Sequence, residues 1–296
     1  MEAVVVMISL AFSTNAFKRY SLEDSIRAIA KVGYRGVEIL CDIPHAYAPT
    51  FKDDQVRSLK KTLTSSYMQI SNLNAFTLYA VGDTYHPSWI EDSREIRIEH
   101  TIECIRLAKK VGAKHLSTEP GGPVPPSPPS PSPPPEGSPS SQQFQDKSLL
   151  EKIFLDGVTR VAKIAEEEDI KVLIEPEPGL LIENSTQFKT FMTHLINTRH
   201  IRLNFDIGHF YCVNEDPAKL VYELSDYIEH FHLADIADTR IHNHLIPGKG
   251  SIDFRRVFDA IDDIGYRGFV TVELYPYQDN PVQAAEEAYS YLCSIT

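Results

Sequence analysis

Short apolar runs rich in β-branched residues alternate along the chain with longer segments whose apolar positions recur at helical spacing. The runs are Val4–Ala11, Gly36–Leu40, Gln69–Leu73, His115–Thr118, Lys171–Ile174, Ile201–Phe205, Ile228–Leu233 and Phe269–Leu274, eight in all. Between them, Ile26, Ile29 and Ala30 mark one helix face, Ile98, Ile102, Ile105 and Ala108 a second, and Phe154, Val158, Val161 and Ala165 a third. Alternating strands and helices predict an α/β fold with a parallel sheet under helices, and eight strands predict a (β/α)8 TIM barrel.

Two stretches repeat. Val32–Ile39 reads VGYRGVEI and Ile264–Leu274 reads IGYRGFVTVEL. In each, a helix is expected to end at a glycine that tolerates the left-handed cap, with a strand carrying a glutamate directly behind it. That is the expectation for a ring of equivalent units.

The pattern breaks at about residues 120–143, where GGPVPPSPPSPSPPPEGSPSSQQ and the preceding Pro120 hold eleven of the chain's twenty prolines. Proline without an N–H excludes a helix interior or a central strand. A Pro/Ser-rich insertion in the loop after the fourth strand is therefore expected, read as a solvated linker in preference to a ligand for SH3-type or WW-type domains. With that insertion, 296 residues accommodate a single barrel domain over 1–296.

The formal charge of −12 disfavours a nucleic-acid partner, because phosphate binding needs clustered Lys and Arg. Cys41, Cys104, Cys212 and Cys293 form no CxxC pair and read as reduced thiols rather than a disulfide or zinc framework. The opening MEAVVVMISLAFST carries Glu2 and no basic flank, so it reads as a strand rather than a signal peptide. No run has the length to span a bilayer, and a cytoplasmic protein with no membrane partner is expected.

In a parallel barrel, residues closing different strands converge on one face. Here Glu119 follows HLST, Glu175 follows KVLI, Asp206 follows IRLNF, His232 lies in HFHLA and Glu273 in FVTVEL. Carboxylates crowded together repel unless a cation neutralises them. Glu175, Asp206, His232 and Glu273 make an oxygen-rich set with one imidazole, suited to Mn, Mg or Co and workable for Zn or Fe as the divalent metal ion.

VLIEPEPG (Val172–Gly179), FDIGH (Phe205–His209), FHLAD (Phe231–Asp235), PGKGSIDF (Pro247–Phe254) and VELYPY (Val272–Tyr277) together resemble the xylose isomerase-like TIM barrels. That group includes sugar epimerases, hydroxypyruvate isomerase, inosose dehydratase and endonuclease IV. The resemblance covers nearly the whole chain apart from the insertion. It implies metal binding by Glu175, Asp206, His232 and Glu273, with Glu175 and Glu273 also carrying protons on the two faces of the reacting carbon. The chemistry agrees: a metal chelated by a carbonyl and a neighbouring hydroxyl stabilises an enediolate while one carboxylate removes the α-proton and another returns one.

The leading expectation is a metal-dependent isomerase or epimerase of a small sugar or polyhydroxylated carbonyl compound, with a dehydratase as a close variant. The resemblance assigns His209 to substrate oxygens or a further metal. Glu119 and His244 stand at positions that the nuclease branch uses for zinc, and His244 with His209 offers a second metal site. Arg240 is the candidate for gripping substrate oxygens, although its spacing departs from the family's. In DTYHPSWIE, Tyr85, His86 and Trp89 are the candidates for an aromatic lid over a sugar-like ligand. Phosphodiester hydrolysis on abasic DNA is the alternative. The third strand's NLNAF weighs against it, offering Asn72 and Asn74 where a trinuclear zinc site needs histidine. A barrel serving as a non-catalytic scaffold is the third class. Dimers are frequent in the family, which leaves a homo-oligomer open.

Overall fold

The structure, a computed structural model, describes residues 8–124, 146–195 and 199–295. Eight strands run β1 (Ser9–Ser13), β2 (Gly36–Leu40), β3 (Gln69–Asn74), β4 (His115–Thr118), β5 (Lys171–Ile174), β6 (Ile201–Asp206), β7 (Ile228–Leu233) and β8 (Phe269–Val272). Each pairs in parallel with the next, and β1 pairs with β8, closing a TIM barrel. Seven strands agree with the predicted runs to within two residues. The first lies later in the chain than Val4–Ala11, and Val4–Met7 fall outside the described residues.

The helices form where local chemistry starts and stops them. They are α1 (Leu22–Val32), α2 (Asp53–Ser65), α3 (Arg94–Val111), α4 (Lys147–Glu168), α5 (Ser185–His194), α6 (Ile207–Cys212), α7 (Pro217–Glu223), α8 (Phe254–Asp263) and α9 (Pro281–Ile295). The Ser21 side chain accepts the Asp24 N–H to cap α1, and Gly33 ends that helix at φ +125°. Gly265, its counterpart in the second GYRG copy, also has positive φ, as the repeat predicted. The insertion falls between β4 and α4, and its residues 125–145 lie outside the described residues.

The strands of the second half alternate in a way that decides where the chemistry goes. In β6 to β8, Leu203, Phe205, Phe231, Val270 and Val272 are buried in the apolar core, where Phe205 packs on Phe210 and Phe231 on Tyr266. The intervening residues bond across the barrel axis: Ser71 Oγ is 3.0 Å from Thr271 Oγ1, and Asn74 Nδ2 is 3.1 Å from Glu273 Oε1. The lumen is thus polar, and the apolar packing sits between strands and helices. Period two puts the lumen residues of β6 to β8 on one face, and in β3 a register shift at Ser71 lets it join Asn72 and Asn74 there.

Asp235, just past β7, accepts backbone N–H groups from Ile236, Gly248, Gly250 and Ile252 at 2.9, 2.9, 2.8 and 3.2 Å. A Cβ on Gly250 would come within 2.3 Å of Asp235 Oδ1. The PGKG segment is therefore a loop wound on one carboxylate. Among the described residues no helix is long and apolar enough to cross a membrane. Cys41 and Cys104 are buried, Cys212 is half-buried and Cys293 exposed, all as free thiols.

Candidate metal and substrate site

Strand ends deliver four of the predicted residues to one point. Glu175 follows β5, Asp206 closes β6, His232 lies in β7 and Glu273 follows β8. Each offers one donor atom, and these atoms all lie within 4.8 Å of one another. His232 Nδ1 is 2.7 Å from Glu175 Oε1 and 3.8 Å from Glu273 Oε2. Asp206 also caps α6, its Oδ1 accepting the His209 N–H at 2.8 Å, which leaves Oδ2 facing the cluster. Asp206 Oδ2 and Glu175 Oε2 are buried without a hydrogen-bond partner.

The charges confirm that the group is crowded. Burial, reinforced by the carboxylates of Glu175, Glu38 and Asp206, pushes Glu273 up to about 8 in spite of His232. For Asp206, burial is outweighed by the imidazoles of His209, His244 and His232, which hold its carboxyl below the usual range. His232 is shifted the other way: burial opposes its charge, yet Glu175, Glu38 and Glu273 raise it well above the ordinary imidazole value. Two orphaned carboxylate oxygens beside a strained proton balance fit a divalent cation, which would take the orphaned lone pairs and offset the repulsion.

A second group stands beside the first. His209, His242 and His244 also offer nitrogens within 4.8 Å of one another. His209 Nδ1 donates to the Pro176 carbonyl and His244 Nδ1 to the Glu273 carbonyl, each at 2.9 Å. Carbonyls only accept, so both rings keep Nε2 for other partners. His244 Nε2 is 3.0 Å from His242 Nε2. Burial holds His242 down to about 3 and His244 to about 4. Both clusters border a cavity of about 90 Å³ whose walls include Asn15, Lys18, Glu177, His209, His242 and Tyr275.

Other predicted residues lie elsewhere. Trp89 is fully buried, edge-on to Phe154, and forms no lid. Its large apolar ring is better hidden under α4 than held over a wet cavity. Glu119 is likewise buried beneath the β3–α3 loop, accepting the backbone N–H groups of Trp89 and Gly121, with Arg97 Nε at 3.8 Å. Arg97 in turn donates to the carbonyls of Pro87 and Phe76. This buried pair braces the loop and does not face the cavity.

His86 pairs with Glu91 on the loop surface. From that β3–α3 loop Phe76, Thr77, Tyr79 and Thr84 border the cavity, while Tyr85 donates to Glu177 at 2.9 Å. Arg240 donates to the Tyr211 carbonyl and lies 3.9 Å over the Tyr211 ring, so its fork is already engaged.

Three further buried residues belong to the cavity or the cluster, and two of them, Glu177 and Glu38, stand in motifs that the sequence displays. Glu177 stands two residues past Glu175 within the same motif, and burial pushes it up to about 7. Asn15 donates to Glu273 Oε1 at 2.8 Å. Glu38, the glutamate of the first GYRG copy, is fully buried in the lumen with its Oε2 2.5 Å from His232 Nε2. Burial would raise it, but His232, His230 and Asn72 together hold it down at about 2.

The family profile described as xylose isomerase-like TIM barrel matches residues 26–295. The chain belongs to that family. It is similar to the inosose dehydratase of Clostridium perfringens, 23% identical over 297 residues that cover 93% of this chain and 90% of that one. Among solved structures, a D-tagatose 3-epimerase-like protein superposes with a TM-score of 0.75 at 20% identity, covering 98% of both chains. An IOLI protein with a binding zinc atom superposes at 0.72 and 19% identity, again over 98% of both.

Proposed function

We propose that this protein is a metal-dependent lyase that removes the proton α to a carbonyl in a small polyhydroxylated compound and expels a neighbouring hydroxyl as water, acting on an inosose-like ring. The observation that carries the reading is the placing of Glu175 and Glu273 at 2.7 and 3.8 Å from the same nitrogen, His232 Nδ1, beside a cavity walled by polar side chains. Two carboxylates around one point supply a base for the carbon-bound proton and a second group beside it, so that the proton taken from carbon leaves with the expelled hydroxyl as water. The inosose dehydratase relatives, matched over 93% of the chain, support dehydration over the isomerase outcome.

The donor set Glu175, Asp206, His232 and Glu273 would hold the divalent ion, which supplies Lewis-acid polarisation of the carbonyl when bound. Glu175 takes the α-proton, its second oxygen being free of any hydrogen bond. His209 and Glu177 line the same cavity and orient the ring's hydroxyls. Asn15 and Asn74 hold Glu273 in place through Oε1.

Epimerisation is the second reading, favoured by the same pair of carboxylates, because it begins with the same abstraction and differs only in returning the proton to carbon. Incubating the metal-loaded protein in D2O with an inosose and with a panel of ketohexoses separates the two. Dehydration gives a product lighter by one water, and epimerisation gives an isomer carrying deuterium. No product and no deuterium exchange with any of them would refute both readings.

A further inference from the structure

Glu38 lies outside the four-residue group, on the far edge of the His232 ring. Glu175 and Glu273 approach Nδ1, whereas Glu38 Oε2 lies 2.5 Å from Nε2. Both side chains are completely buried. An ionised carboxylate accepts and cannot donate, so without a cation both ring nitrogens carry hydrogen; a cation at the four-residue group would displace only the Nδ1 hydrogen and leave Nε2–H on Glu38.

Glu38 is itself held. Asn72 Nδ2 donates to Oε2 at 2.8 Å and Asn74 Nδ2 donates to Oε1 at 3.1 Å. Asn72 is tied further to Ser117 Oγ at 2.9 Å and to His115 Nδ1 at 3.0 Å. Asn74 spans two carboxylates, reaching Glu273 Oε1 at 3.1 Å as well. The two asparagines of NLNAF thus have donors aimed at a carboxylate rather than lone pairs aimed at a metal.

We propose that Glu38, clamped by Asn72 and Asn74, is a positioning residue that locks His232 in its Nε2–H form with Nδ1 aimed at the cation site. The inference rests on the metal-dependent reading of the preceding subsection. Its physical basis is general: a ligating imidazole whose other nitrogen donates to a carboxylate is fixed in tautomer and orientation and becomes a better donor. Glutamine at position 38 keeps the size but replaces one accepting oxygen by an amide NH2. That group would meet either the Nε2 hydrogen or the Asn donors head-on.

The test measures metal affinity rather than turnover. Zn²⁺ and Mn²⁺ dissociation constants are obtained by chelator competition for the natural protein and for Glu38→Gln, together with the melting temperature of each metal-free protein. Affinity is expected to fall by about tenfold or more in a variant that circular dichroism shows to be folded; a purely structural role would lower the metal-free melting temperature and leave the affinity of the folded protein alone. Affinity within twofold of the natural protein overturns the role of Glu38 while leaving the metal reading intact. A natural protein that binds neither ion overturns both.

Should Glu38→Gln fail to fold, ¹⁵N-histidine NMR of the zinc-loaded natural protein decides, with His232→Gln to assign the signal. The hydrogen is expected on Nε2 and the zinc-induced shift on Nδ1. The reverse pattern overturns the inference.

Discussion

His232 Nδ1 and Glu175 Oε1 are 2.7 Å apart although 57 residues separate them, and both side chains are buried. This contact joins a ligand-type imidazole to the carboxylate assigned to proton removal. Glu175→Gln keeps the volume and removes one charge from a crowded group, so circular dichroism should be unchanged. Turnover at saturating metal should fall by about 10²–10⁴-fold, the range of a general base. Undiminished turnover would sink the proton-carrier role.

Elemental analysis of protein purified without chelators should find roughly one divalent ion per chain at the oxygen-rich set. The Asp206→Ala, His232→Ala double variant should lose it. An ion retained in that variant would place the metal elsewhere, with the His209, His242 and His244 group as the next location to mutate.

Stability without metal should decline as pH rises from 6.5 to 8. Burial raises Glu177 to about 7 and Glu273 to about 8, against 4.5 for a free glutamate. Between those values the folded protein holds protons that the unfolded chain has released. Their contribution is therefore complete below pH 4.5 and lost as pH climbs through 7 and 8. Below pH 6.5 the depressed imidazoles of His242 and His244 act in the opposite sense, so between pH 6.5 and 8 calorimetry of chelator-treated protein should show melting temperature falling, and Glu273→Gln should flatten the fall. Metal addition near neutral pH should release protons, since ligands bind deprotonated. A melting temperature that rises with pH over the same window would contradict the raised values.

Asp235→Ala removes an acceptor serving four backbone N–H groups. Denaturant unfolding should show a loss of about 3 kcal/mol, because buried donors are left unpaired. A loss under about 1 kcal/mol would mean that water replaces the carboxylate.

Trp89 is the single tryptophan and has no exposed surface. Its fluorescence should be blue-shifted, resistant to acrylamide and indifferent to sugar-like ligands. Strong quenching by a ligand would restore Trp89 to the cavity.

Much of this was legible in the sequence. Seven strands could be bounded because β-branched runs and Gly-capped helix ends are local signals, and Gly33 and Gly265 carry positive φ as the repeat required. Glu175, Asp206, His232 and Glu273 could be named together because parallel topology sends every strand end to one face. Trp89 and Glu119 went astray for a related reason. Adjacency to a strand end gives position along the axis, but whether a side chain turns into the mouth or under a loop depends on packing partners such as Phe154 and Arg97.

Strand boundaries, helix caps and the strand-end donors follow from spacing along the chain, because hydrogen bonding and side-chain periodicity act over a few residues. The pairing of Glu38 with His232 spans 194 residues and exists only because closing β8 on β1 brings β2 and β7 to face each other across one lumen. No local pattern encodes that distance; it is a property of the closed ring, in which strands far apart in order point their inward side chains at the same axis.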